Sequence, residues 1–221
     1  FMMKIVVAGG TGLVGRAITK ALLDAGHQIT VASRHRPGKH PLDARASWVE
    51  ADVTSVASLT EALRGADLVV DAVQFPGSPM ENPKKGFTFE KIDYEGTKNL
   101  VDAAKAAGVP EFIDISGMNA DENGKYHWLR FKWKEEEYLK ASGLKYTIFR
   151  PSWMFGPGDV ALNRFMGFAK FLPFVPVIGN GKTRINPLFV DDLGAYVAAA
   201  AAKPESRGKT FEIGGPVVMT M

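Results

Sequence analysis

Residues 9–15 read GGTGLVG. Gly10, Gly12 and Gly15 match the spacing G-x-G-x-x-G, and Gly9, Gly12 and Gly15 match G-x-x-G-x-x-G. Glycines at these intervals divide three tasks among them. One makes a tight turn, one lets the backbone approach a pyrophosphate, and one lets a helix pack close to a strand. Thr11, Leu13 and Val14 complete the loop, and a helix starting there would offer unpaired N–H groups and a positive dipole end to phosphate. Such a motif is meaningful only between a strand and a helix. The alternative is a glycine-rich turn that holds nothing.

The flanking pattern supplies that context. KIVVA at Lys4–Ala8 reads as a buried strand, and residues 12–25 place Leu13, Val14, Ala17, Ile18, Ala21 and Leu22 on one helical face. Further strands are expected over 28–32, 47–51, 67–73, 112–116 and 145–149. Helices are expected over 58–63, 88–107 and 128–141, with Ser58 and Glu61 in capping-box spacing. Strands alternating with helices predict an α/β fold, a doubly wound parallel Rossmann sheet covered on both faces.

The end of the second strand bears on which dinucleotide fits. Sites for NAD place an acidic residue there for the ribose 2′-hydroxyl. This chain has Ser33, Arg34, His35 and Arg36, with Lys39 following. An arginine fork and a hydroxyl suit a 2′-phosphate, with no carboxylate in that run to repel it, so NADP(H) is favoured over NAD(H). For Arg36 and Lys39 a solvated basic loop is the competing reading. Asp52, in the pair Asp52 and Val53, follows the third strand and is placed to accept from an adenine amino group, or to cap a helix. Ala72 and Val73 end the fourth strand, where backbone can line adenine and ribose.

Bulk properties narrow the class. The chain has 221 residues, 46% hydrophobic and 23% charged, with a net charge of +3 and no cysteine. That composition suits a globular domain and excludes a disulfide scaffold or thiol chemistry. The charge gives no case for nucleic acid. No apolar run is long enough to span a bilayer and no signal-peptide pattern opens the chain, so a cytoplasmic protein is expected. No metal site is expected. Phe1 stands ahead of Met2 and Met3 and reads as lying outside the natural start.

The motifs together resemble the extended and atypical short-chain dehydrogenase/reductase superfamily. The resemblance rests on GGTGLVG at 9–15, DV at 52–53, YEGTKNLVDAAKAAGV at 94–109 and FIDISG at 112–117. It rests also on SGLKYTIFRPSWMFGPGD at 142–159, GKTRINPLFVDDLGAYVAAAA at 181–201 and FEIGGP at 211–216. The chain is most similar to the atypical branch. That branch includes the NAD(P)-binding accessory subunit of complex I, nitrogen-metabolite-repression-type regulators and epimerase-like proteins.

The resemblance implies about seven strands. It also implies a Rossmann domain over 1–150, with residues 151–221 adding the remaining strands and a small substrate lobe integral to the same domain. Catalytic members use a serine after the fifth strand and a Tyr-x-x-x-Lys pair on the next helix. Ser116 falls in the serine region and Lys132 at the lysine, which binds the nicotinamide ribose. Four residues before Lys132 stands Trp128, and an indole does not titrate usefully. Tyr126, His127 and Tyr94 are the nearby substitutes, with Tyr126 the candidate catalytic group. Lys132 has a second reading as one of the solvated lysines of KWKEEE. Pro151, Ser152 and Trp153 are implied to line the nicotinamide side, with a simple strand-to-loop transition as the alternative; Arg184 and Asn186 precede the strand-like PLFV and are placed to reach a polar substrate group.

Residues 161–174 (ALNRFMGFAKFLPF) are strongly aromatic, wider than one helical stripe, and suit an apolar small-molecule substrate or a protein partner. Helices at 94–107 and 128–141 form dimers in many members, which implies a homodimer as one arrangement. Members continue beyond GGP, so VVMTM at 217–221 reads as the approach to a further helix. Three functions fit these residues. The leading one is an NADP-dependent oxidoreductase acting on a small molecule. The others are a non-catalytic NADPH-binding sensor or assembly subunit, and a nucleotide-sugar epimerase, against which Arg34 and Trp128 argue.

Overall fold

The computed structural model describes residues 1–38, 41–159 and 181–220, together with Gly167 and Lys170. Seven parallel strands form the central sheet. They are β1 (Lys4–Ala8), β2 (Gln28–Ser33), β3 (Ser47–Glu50), β4 (Leu68–Asp71), β5 (Glu111–Ile115), β6 (Lys145–Pro151) and a late strand, Lys209–Ile213. Between β6 and that late strand lie the two-residue strands β7 (Met154–Phe155), β8 (Arg184–Ile185) and β9 (Leu188–Phe189), so the late strand is β10. The sheet order is β3-β2-β1-β4-β5-β6-β10. Strand order reverses between β1 and β4, the crevice where open α/β sheets bind ligands.

Alternation along the strands sorts side chains to two layers. Val6, Ala8, Val69, Phe112 and Ile148 face α2 (Val56–Ala62), α3 (Glu95–Ala107) and α4 (His127–Ala141). Ile5, Val7, Val70, Ile113 and Phe149 face α1 (Leu13–Asp24) and α5 (Val190–Ala202). Helices α1 and α5 touch backbone to backbone. A Cβ on Gly194 would stand 2.8 Å from the Ala17 carbonyl oxygen. β7 pairs with β9, and β8 pairs with β11 (Met219–Thr220).

Three local expectations need correcting. Helix α2 starts earlier than expected, and its cap is Ser55, whose side chain accepts from Ser58 N–H. Ser58 therefore sits inside the helix and the Ser58–Glu61 capping box does not form. The helix expected over 88–107 opens instead as a π-helical stretch, Phe89–Tyr94, capped by Thr88, before α3 begins. Such a stretch re-aims side chains relative to an α-helix, and it turns Asp93 inward to 1% exposure. β6 runs two residues further than expected, to Pro151. Lys39 and the aromatic segment 161–174, apart from Gly167 and Lys170, lie outside the described residues.

Candidate nucleotide-binding site

The glycine loop lies at the C-terminal end of β1. Gly9 has φ 74°, and a Cβ there would stand 2.5 Å from the Ala72 carbonyl oxygen. The close approach of this loop to Ala72 and Val73 therefore demands glycine. A Cβ on Gly15 would strike the Gly9 carbonyl and stand 2.5 Å from Gly10 Cα. Gly12 is the N-cap of α1, exposed, with φ −75° and no side-chain cap bond. The first intrahelical N–H to bond back is Arg16, to the Gly12 carbonyl at 3.0 Å. The amides of Leu13, Val14 and Gly15 precede it and point out of the helix end. No acidic residue stands in this first turn. Arg16, which sequence reasoning missed, donates through Nη1 to the Thr11 carbonyl at 3.0 Å and holds the loop's far side.

At the adenosine end, Arg34, His35, Glu50, Ala51, Asp52 and Ser58 line one cleft. Arg34 lies over the Phe87 ring at 5.5 Å, and Arg36 over Trp48 at 5.8 Å. Ser33 is spent locally. Its hydroxyl donates to the His35 carbonyl at 2.9 Å and accepts from Trp48 Nε1 at 2.9 Å. Asp52 Oδ1 accepts from both Thr54 N–H and Thr54 Oγ at 2.8 Å, a local turn ahead of α2; the helix-cap alternative does not hold, because the cap of α2 is Ser55. Val53 is buried, and its carbonyl accepts from Asn99 at 2.8 Å.

The reading that no carboxylate opposes a 2′-phosphate here needs correcting. β2 and β3 pair Ser33 with Glu50, which puts a second acid beside Asp52 in the Arg34 cleft. Strand register carries this proximity, and a single strand's sequence does not. Glu50→Gln is expected to raise the NADPH-over-NADH affinity ratio about two- to fivefold, the scale of one exposed charge worth up to ~1 kcal/mol. Paired fluorescence titrations check it, and an unchanged ratio removes Glu50 from cofactor choice.

At the other end, the polar residues turn toward one another. Ser116 Oγ donates to Glu136 Oε1 at 2.5 Å. Arg150 grips the same carboxylate through Nε at 2.8 Å and Nη2 at 2.7 Å. The Ser116 proton is thus committed to a buried ion pair and not to an open cleft. Trp128 packs over Gly117, whose added Cβ would meet its ring at 3.1 Å. Tyr126 is the N-cap of α4 and is 53% exposed. His127 pairs with Glu81 at 2.9 Å, and Tyr94 stacks on Phe131. None of the three takes up the position of the missing phenol on α4.

Lys132 is buried, which removes its reading as a solvated lysine. Its Nζ donates to Glu135 at 2.8 Å and lies 3.4 Å from Asp93. Burial acts to lower the Lys132 ammonium, but Glu135, Asp93 and Asp114 outweigh it and hold it well above the usual lysine value. Burial pushes Asp71, Asp114 and Glu135 upward, and Asp93 up to about 6. Between the free aspartate value of 3.8 and about 6, the folded chain keeps a proton at Asp93 that the unfolded chain has released. The contribution of Asp93 to stability therefore falls as pH rises through that interval. Pro151 and Ser152 close this end of the sheet. The Pro151 carbonyl accepts from Met118 N–H, and Ser152 Oγ donates to the Asn186 carbonyl at 2.6 Å. The Trp153 carbonyl accepts from Leu188 N–H at 2.9 Å. Asn186 braces the strand ends, and Arg184 sits exposed on β8.

A family model described as NAD(P)H-binding matches residues 9–162, more than half of the chain. The chain belongs to this NAD(P)H-binding family. It is of the Rossmann type and resembles the atypical short-chain dehydrogenase/reductases. It is 30% identical over 97% of its length to the mitochondrial NADH dehydrogenase [ubiquinone] 1 alpha subcomplex subunit 9 of Arabidopsis thaliana, covering 54% of that protein. It is 34% identical over 67% of its length to the Photosystem II assembly factor Ycf39 of Cyanophora paradoxa, covering 44% of that protein. The chain thus spans about half the length of these curated relatives. Among solved structures, a nucleoside-diphosphate-sugar epimerase from Staphylococcus aureus superposes with TM-score 0.77 at 26% identity, covering 99% of this chain and 73% of that one. UDP-glucose 4-epimerase from Thermotoga maritima superposes with TM-score 0.83 at 22% identity, covering 99% and 79% of the two chains, a likeness of fold alone.

The family and the geometry agree on what fits. The cradle that a Cβ on Gly9 or Gly15 would fill, and the uncapped, acid-free N-terminus of α1, are both suited to a pyrophosphate. No helix among the described residues is long and apolar enough to cross a membrane.

Proposed function

We propose that this chain holds NADP(H) as a bound ligand for structural or signalling purposes, without the tyrosine-centred proton relay of its catalytic relatives. One observation carries the reading. At the end of the site where a serine and a tyrosine would act, Ser116 gives its proton to the buried Glu136 and an indole occupies position 128. The glycine loop meanwhile keeps every feature a pyrophosphate needs. The names of two relatives, a subunit and an assembly factor, support the same direction.

In this reading Leu13, Val14 and Gly15 hold the pyrophosphate through their amides, and Arg34 takes the 2′-phosphate. Ala72 and Val73 line the adenosine, and Lys132 faces the nicotinamide ribose. The cofactor, when bound, brings hydride chemistry, and the chain supplies binding and orientation. Arg34→Ala is expected to weaken NADPH about 10- to 100-fold, the 1.5–3 kcal/mol of charged hydrogen bonds, and to leave NADH unchanged. Fluorescence titrations with both nucleotides test this. Equal losses for NADH and NADPH would contradict the 2′-phosphate role, and stronger NADH binding by the wild type would reverse the cofactor choice.

A second reading, an active NADP-dependent oxidoreductase, is favoured by the buried ammonium of Lys132 at the sheet's C-terminal edge. There Lys132 would anchor the ribose, and water or Tyr126 would supply the proton to a carbonyl substrate.

A further inference from the structure

The pocket around Lys132 contains more acid than its cation neutralises. Asp71 of β4 and Asp114 of β5 are register partners and face the α3–α4 layer. Asp93 comes from the π-helical turn, and Glu135 from α4. All four are at most 3% exposed. Asp71 has partners in Val73 N–H at 2.9 Å and Thr97 Oγ at 2.7 Å. The others do not have full sets. Both oxygens of Asp93, Oδ2 of Asp114 and Oε2 of Glu135 are buried and lack hydrogen bonds. The neighbouring charges are committed elsewhere. Glu136 is bound by Arg150 and lies 3.6 Å from Lys140, while Glu81, which also acts on Asp93, pairs with His127.

Four carboxyls around one ammonium cannot all ionise in a water-poor site, so protons must be shared among them. Lys132 is the cation that limits how many are held. Any acceptor that draws its Nζ outward weakens its attraction for Glu135 and Asp93, and a carboxylate so exposed recovers a proton from solvent. Burial already favours that protonated form.

We propose that Asp93, Asp114 and Glu135 are positioning residues for Lys132, and that their pocket takes up a proton when a dinucleotide engages Lys132. The proposal rests on the reading that Lys132 faces the nicotinamide ribose. The step moves one proton from water to a carboxylate oxygen and breaks no other bond. Nucleotide affinity then rises as pH falls, through a group that touches no phosphate.

The test is calorimetric titration with NADH at neutral pH in buffers of different ionisation heat, which reads protons taken up per nucleotide bound. NADH is the probe because it has no 2′-phosphate to titrate. The wild type is expected to take up a net fraction of a proton. Asp93→Asn and Glu135→Gln are expected to lose at least half of that uptake, and Asp93→Glu to restore it. Glu205→Gln, on the exposed turn Pro204–Ser206 outside the site, is expected to leave it unchanged. Binding with no proton uptake by the wild type, or full uptake in both amide variants, overturns the proposal while leaving the cofactor reading standing. Absence of any binding, of NADH or of NADPH, overturns both. The wild-type buffer series decides the matter alone if a variant does not fold.

Discussion

Gly15→Ala is expected to abolish useful nucleotide binding, with affinity falling about a hundredfold, and to lower stability as well. The added methyl would strike the Gly9 carbonyl and press on Gly10 Cα, both backbone and neither able to rotate away. Overpacking of this kind costs about 1–3 kcal/mol, and here the strain falls on the loop that would hold the phosphates. Gly12→Ala is the informative contrast. Its Cβ would meet only the Gly9 carbonyl oxygen at 3.4 Å, and its φ of −75° suits any residue. That variant should keep its unfolding midpoint and lose binding alone, since position 12 is where ligand would approach the backbone. Urea unfolding beside NADPH titration separates the two. Equal stability losses for both variants would mean that the loop is not arranged as described.

Arg150→Ala should be the most destabilising of the charge changes, at about 3–5 kcal/mol, because it strands a buried carboxylate. Glu136 has no exposed side-chain surface, and Arg150 supplies two of its hydrogen bonds, at 2.8 and 2.7 Å. Ser116 and the more distant Lys140 cannot replace a bidentate guanidinium. Adding Glu136→Gln to Arg150→Ala should recover much of the loss, since the group left behind is then neutral. Chemical denaturation of the three proteins checks this. A single-variant loss below about 1 kcal/mol would show the pair to be effectively solvated.

Most of the sheet was legible because its signals are local. Buried parallel strands such as KIVVA and LVVD are short apolar runs, and glycines mark the turns after helices, as at Gly26 and Gly108. The glycine loop was legible for the same reason, since its demand for small residues is written into consecutive positions. The acid pocket was not. Asp71 ends one apolar run and Asp114 interrupts another, and only strand register brings them together. Glu135 and Glu136 stand in the charged run KWKEEE, yet the orientation of α4 buries both. Asp93 enters the pocket through a π-helical turn that an α-helical periodicity cannot anticipate. Ser116 was found by its place after β5, but its direction depends on Glu136, twenty residues away.

Amide hydrogen exchange across residues 9–16, with and without NADPH, reads directly whether this loop holds a pyrophosphate. The amides of Leu13, Val14 and Gly15 have no intrahelical acceptors, so a pyrophosphate seated on them should slow their exchange strongly. Protection is expected to centre on these three amides, with little change on the exposed face of α4. NADPH binding that leaves Leu13–Gly15 unprotected would contradict this, and so would the absence of binding.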